Sequence, residues 1–113
     1  MPLSRSFKRT VQARAQCDTE FRAALLSEGV EALLAGEVDA AKSILRNYIN
    51  ATVGFEKLAS TTGTPAKSLM RMFGPRGNPS ARNLSAVLKH LQRNSGVSLR
   101  VQTSEQRVRR KRV

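Results

Sequence analysis

Glycines and prolines cut this chain into short stretches, and in most of them the apolar residues recur at intervals of three and four. That spacing gathers them on one face of a helix, so the available fold is a set of short amphipathic helices packed stripe against stripe. Asp18 or Thr19, residue types that cap helix starts, opens a run of Phe21, Leu25, Leu26, Val30, Leu33 and Leu34. The run ends at Gly36, suited to the left-handed position that closes a helix, with Gly29 marking a break inside it. A second stripe, Val38, Ala41, Ile44, Leu45, Tyr48 and Ile49, begins about Glu37 and ends before Gly54. Acids at its start, and Lys42 and Arg46 further on, suit its dipole.

After Gly54 the elements shorten. Phe55, Leu58 and Ala59 share a face; then come Thr61, Thr62, Gly63 and Thr64, with Pro65 opening another helix. Thr64 at the N-cap with Pro65 at the first helical position makes a well-defined start. Leu69, Met72 and Phe73 face inward from that helix, Gly74 ends it, and Pro75 to Pro79 form a turn-rich loop. Ser80 caps a longer helix whose Leu84, Val87, Leu88 and Leu91 stand at i, i+3, i+4 and i+7, stopped by Gly96. Val97 to Val101 alternates apolar and polar residues, the pattern of a strand. The chain offers it no second strand, so its pairing partner would be its own copy across a dimer. Ser4 to Gln16 reads as a basic arm or short helix, and the end of the chain as a disordered basic tail with almost nothing to bury.

The expected fold is therefore mostly α, five to six helices including a helix-turn-helix. The segments are a basic N-terminal part (1–17), a helical part of the same domain (18–53), a helix-turn-helix region (54–96), a strand (97–102) and a tail (103–113). At 113 residues, one core is expected. An aromatic content of 4% with no Trp favours aliphatic helix packing over a sandwich.

Charge narrows the function. Twenty Lys and Arg against eight Asp and Glu give a net charge of +12, which argues for a polyanionic partner. Residues 1–17 carry four bases and no acid; 18–56 carry seven acids against Arg22, Lys42 and Arg46; 57–113 hold thirteen bases against Glu105. Charge that only kept the chain soluble would have no reason to leave one half acidic and load the other.

The basic excess starts where the helix-turn-helix starts. In that motif the second helix stands proud of the surface and its N-terminal half enters the major groove. Here Leu58 and Ala59 would seat the first helix, Gly63 would supply the turn, and Leu69 with Met72 would anchor the second. Its outward face is then Ala66, Lys67, Met70 and Arg71, the base-reading candidates, with Arg71 able to meet guanine bidentately. Lys57, Thr64, Arg76, Asn78, Ser80 and Arg82 are candidates for phosphate contacts that fix register. In the tail, Arg107, Arg109, Arg110, Lys111 and Arg112 form a charge run that could clamp the backbone or enter a minor groove.

Leu58-Ala59, Gly63, Leu69, and Gly77-Asn-Pro79 through Leu84 to Leu91 resemble the Cro/repressor (XRE) helix-turn-helix superfamily. More narrowly, Lys67-Ser-Leu-Met-Arg-Met-Phe-Gly74 with Gly77-Asn-Pro-Ser80 is similar to the HigA-like antidote proteins of bacterial toxin-antitoxin modules. The resemblance covers about Phe55 to Val101. It implies base reading from Ala66, Lys67 and Arg71, dimerisation on a palindromic operator, repression of its own operon, and neutralisation of a RelE/ParE-type toxin. The chain departs from the superfamily in its acidic helical N-terminal part and its arginine-rich tail, and Ala66 is small where repressors often carry a polar reader.

Enzymatic readings have little to stand on. The acids are scattered without a spaced pair, His90 is the only His, and no Cys-His or Ser-His-Asp set can assemble. Gly74 to Pro79 lacks the Gly-Lys-Ser/Thr of a phosphate-binding loop. Cys17 is alone, which excludes an intramolecular disulfide and a thiolate zinc cluster and suits a reducing cytosol. No apolar run approaches a membrane span. The expectation is a cytoplasmic, nucleoid-associated regulator that is not an enzyme, needs no cofactor or metal, and binds double-stranded DNA as a homodimer. The alternatives are an antitoxin working mainly by protein-protein inhibition, for which the acidic pair of helices could meet a basic toxin, and a non-specific nucleoid- or RNA-binding basic protein.

Overall fold

The computed structural model describes residues 5–105, and they form six helices: α1 (Arg5–Cys17), α2 (Thr19–Leu34), α3 (Val38–Ala51), α4 (Phe55–Thr62), α5 (Ala66–Met72) and α6 (Ala81–Ser95). The N-terminal basic segment is thus helical along Arg5–Cys17, and α1 packs on α2 and α3. Asp18 joins α1 to α2 and caps the latter, its carboxylate accepting the Phe21 amide at 3.1 Å. It also lies 3.6 Å from the Arg14 Nε, whose guanidinium covers the Phe21 ring at 4.6 Å.

Helix α2 ends in a closing turn around Gly36, at φ 82°, with the Gly36 amide on the Leu33 carbonyl and the Glu37 amide on the Ala32 carbonyl. No break occurs at Gly29. The helix runs through it because Gly29 is buried where α3 crosses: a Cβ there would stand 2.8 Å from the Leu45 Cδ2. The missing side chain serves close approach between the two helices.

The core joins both halves of the chain. Leu26 of α2, Leu45, Tyr48 and Ile49 of α3, Phe55 and Leu58 of α4, Leu69 of α5, Phe73, and Val87 with Leu91 of α6 are almost fully enclosed. Phe55 and Phe73 meet with ring centroids 6.5 Å apart, a tilted contact that ties α4 to the end of α5. Tyr48 satisfies its buried hydroxyl by sharing a hydrogen bond with the Ser95 hydroxyl at the end of α6. Burial pushes its phenol above the usual tyrosine value, against the smaller opposing effects of that hydrogen bond and of the Arg22 charge.

The short strand expected at 97–102 does not form, and among the described residues there is none. With no second extended segment beside it, the stretch after α6 is fixed otherwise: the Leu99 amide donates to the Gln92 Oε1 at 2.8 Å, and Leu99 packs on the core. Val101 is left 82% exposed. The tail residues Arg107, Arg109, Arg110, Lys111 and Arg112 lie outside the described residues.

Candidate nucleic-acid interface

The two helices expected to form a DNA-reading motif lie against one another across Gly63, Thr64 and Pro65. Gly63 adopts φ 75°, a left-handed conformation that a Cβ would strain, and its amide closes α4 on the Ala59 carbonyl at 2.9 Å. The Thr62 hydroxyl donates to the Leu58 carbonyl at 2.8 Å and accepts from the Thr64 amide at 3.4 Å, bracing the turn from inside.

The start of α5 departs by one residue from the sequence expectation. Pro65 occupies the N-cap itself, with ψ 143° and its carbonyl taking the Leu69 amide at 3.0 Å. Thr64 therefore stands outside the helix, half-buried, and does not cap it. The proline ring fixes φ without dictating ψ, so it serves at either position.

Leu69 and Phe73 sink into the core and set the depth of α5. On the opposite side Lys67, Met70 and Arg71 are exposed, Met70 to 46%. Ala66 differs from the expected outward set, because it is half-buried and packed on the core. Its register follows from Leu69: three residues apart on a helix, the two side chains share a face. The outward triad is therefore Lys67, Met70 and Arg71. Among the described residues neither cation makes an ion pair.

The candidate phosphate contacts stand on the elements before and after α5. Arg76 and Asn78 are exposed on the loop that follows it, and Arg82 is exposed in the first turn of α6. Ser80 is exposed too, with its hydroxyl holding the Asn83 amide at 3.1 Å as the cap of α6. Lys57 is exposed on α4, where it lines an open cleft of about 450 Å³ with Val53, Leu58, Thr61, His90, Arg93 and Asn94. That cleft lies between α4 and α6, so the structure groups Lys57 with Arg93 and His90, two residues for which the sequence suggested no such role.

Two further residues escaped the sequence reading. Lys42, read as complementing the dipole of its own helix, is 7% exposed and turns instead to the loop beyond α5. Its Nζ donates to the Gly77 carbonyl at 2.7 Å and lies 3.4 Å from the Pro75 carbonyl. Arg46, one turn further along α3, donates to the Phe73 carbonyl at 2.7 Å. Both end on the chain that leaves α5, where unpaired carbonyls and the negative end of the helix dipole collect. Gly77 presses on the same place: a Cβ there would lie 2.1 Å from the Arg71 carbonyl oxygen and 2.2 Å from that of Met72. Only periodic spacing from Ala41 and Leu45 could have hinted that Lys42 turns inward, and a cation's spacing does not name its partner.

No helix among the described residues is long and apolar enough to cross a membrane, and no group of three His, Cys, Asp or Glu gathers there to hold a metal. The architecture is that of a six-helix α protein carrying a helix-turn-helix arrangement. Compared with protein-family models, curated proteins and solved structures, the chain matches none.

Proposed function

We propose that this chain is a sequence-specific duplex DNA-binding regulator that acts by occupying an operator, with α5 as the reading helix. The observation that carries the reading is the two-sidedness of α5. Leu69 and Phe73 bind it to the core, while Lys67, Met70 and Arg71 project outward with no acid among the described residues paired to either cation. An arginine and a lysine on the free face of a short, supported helix suit guanine edges in a major groove. Arg76 and Asn78, exposed on the loop that follows it, and Arg82, exposed in the first turn of α6, suit the flanking phosphates. Binding as a homodimer would set two copies of α5 about 34 Å apart in successive grooves. Repression of its own operon in the cytoplasm follows from the resemblance to the Cro/repressor superfamily.

The test is competition at fixed salt between the chain's own promoter, a random duplex and a structured RNA. The promoter is expected to win. Lys67→Ala and Arg71→Ala should each weaken promoter binding by about 1–3 kcal/mol and leave the melting temperature unchanged. Equal binding to all three nucleic acids refutes base reading.

A second reading, an antitoxin that neutralises a basic toxin by direct contact, is supported by the corner between α2 and α3. There Leu34 (71% exposed) and Val38 (48% exposed) stand among exposed Glu31, Glu37 and Asp39. A stable complex with the product of an adjoining toxin-like gene would favour it. The general RNA-binding reading has less support, because Tyr48, Phe55 and Phe73 are buried and unable to stack on bases.

A further inference from the structure

A seven-residue helix seated by buried Leu69 and by Phe73 beyond its end, with Ala66 and Met72 half-buried on the core, has its depth fixed more firmly than its direction. Apolar contact is non-directional, and α5 could rock about that stripe while keeping Leu69 and Phe73 covered. Direction requires bonds with geometry. Three are in place at its C-terminal end: Arg46 to the Phe73 carbonyl, and Lys42 to those of Gly77 and, at longer range, Pro75.

We propose that Lys42 and Arg46 are positioning residues for DNA reading, forming a latch from α3 that sets the direction in which α5 presents Lys67 and Arg71. The inference rests on the DNA-binding reading above and deepens it. Three features support a latch over simple stabilisation. Burying a lysine on neutral carbonyls is a poor way to gain stability, since an apolar side chain of similar volume would serve the core as well. What the cation adds is a set of directed bonds to fixed points on the chain. All of those points lie within Phe73 to Gly77, the stretch that carries the end of α5 away, and Gly77 is packed on the carbonyls of Arg71 and Met72. The exposed Asp39 carboxylate lies 3.5 Å from the Lys42 Nζ, so the ammonium is held from its own helix as well. A displacement of α3 would therefore be passed to α5 through rigid contacts, and the acidic half of the chain becomes part of the reading device.

The experiment compares Lys42→Met, Arg46→Gln and Arg46→Lys with the unaltered full chain. Hydrogen exchange of the amides from Phe73 to Gly77 reads the latch, and affinity for the promoter and for a random duplex at one salt concentration reads its use. Lys42→Met and Arg46→Gln should speed exchange in that loop and lower promoter affinity at least about fivefold, the worth of one well-placed base contact. Random-duplex affinity should fall clearly less than promoter affinity, because of the proposed phosphate contacts only Arg76 and Asn78 stand on or beside the latched loop, while Lys57, Ser80 and Arg82 do not. Arg46→Lys, which keeps a donor and its charge, should recover most of the promoter affinity. Arg46→Gln, on a half-buried side chain, keeps the test decisive where Lys42→Met does not fold. Unchanged loop exchange overturns the latch. Equal losses on both duplexes overturn the positioning role while leaving DNA binding intact. An unaltered chain that binds both duplexes alike overturns the DNA reading itself, and exchange still judges the latch.

Discussion

Gly77 and Gly74 stand three residues apart in one loop, and the structure assigns their alanine variants opposite fates. At Gly77 a Cβ would lie 2.1 Å from one backbone oxygen and 2.2 Å from another, where real contacts essentially never fall below 3.0 Å. Both obstacles are backbone at the end of α5, so no side chain can swing aside; the loop must lift by about 0.9 Å. The Gly77 carbonyl that accepts from the Lys42 Nζ at 2.7 Å moves with the loop, so that hydrogen bond is disturbed. Losing a buried charge's nearest partner costs about 1.5–3 kcal/mol, and overpacking adds about 1–3, so Gly77→Ala should destabilise by roughly 2.5–6 kcal/mol. At Gly74 the nearest atoms to a Cβ are 3.4 and 3.5 Å away, ordinary contact, and φ is not positive. Gly74→Ala should therefore stay within about 1 kcal/mol, with reduced freedom of the unfolded chain tending to stabilise. Thermal unfolding followed by circular dichroism separates the two, since each kcal/mol shifts the melting temperature of a domain this size by about 4–8 °C. Equal melting temperatures for the two variants would refute the close approach of the loop to α5, and with it the geometry of the latch.

Two further outcomes follow from the same contacts. Tyr48 is the chain's single tyrosine and there is no tryptophan, so tyrosinate absorbance reports this group alone. Its folded value is raised above the ordinary 10.0. The fold therefore favours the protonated phenol, and its contribution to stability is intact below about pH 10 and lost as pH rises through the folded value. Native protein should ionise at higher pH than urea-unfolded protein, and Tyr48→Phe should lose stability less steeply in alkali; a common ionisation midpoint refutes this. Deleting residues 106–113 should weaken binding to promoter and random duplex alike and flatten the salt dependence by about 0.9 in log-log slope per lost phosphate contact. An unchanged slope would show that the arginine run makes no such contact.

Most of the helical plan was legible because it rests on local chemistry. Asp18 and Ser80 cap α2 and α6 as residues of their type should, and Gly36, Gly63 and Gly96 take the left-handed conformation that closes a helix. The outward set Lys67, Met70 and Arg71 came from period alone, because Leu69 fixes the register of so short a helix. The failures are tertiary. Alternation at Val97 to Val101 measures which side chains share a face, and it says nothing of whether an edge exists to receive the backbone. Gly29 looked like punctuation, yet the constraint on it is Leu45 of another helix. Ala66 was counted outward although its partner in period, Leu69, turns it toward the core.

The charge count was right as arithmetic and incomplete as a description of surface. The acidic stretch 18–56 carries three bases, and all three reach across to carbonyls of the basic half: Arg22 to Ser95, Lys42 to Gly77 and Pro75, Arg46 to Phe73. These carbonyls lie at or just beyond the C-terminal ends of α5 and α6, where a cation meets unpaired oxygens and the negative end of a helix dipole. With Lys42 buried and Arg22 and Arg46 half-buried, the stretch 18–56 keeps Glu20, Glu28, Glu31, Glu37, Asp39 and Glu56 exposed. On the other half Lys57, Lys67, Arg71, Arg76, Arg82, Lys89, Arg93 and Arg100 are all exposed. The two signs are nevertheless interleaved in space: α1, with Arg9 and Arg14 exposed, packs on α2 and α3, Asp39 lines one cleft with Phe73 and Pro75, and Glu31 lines another with Arg100, so charge counted along the chain is not a map of the surface.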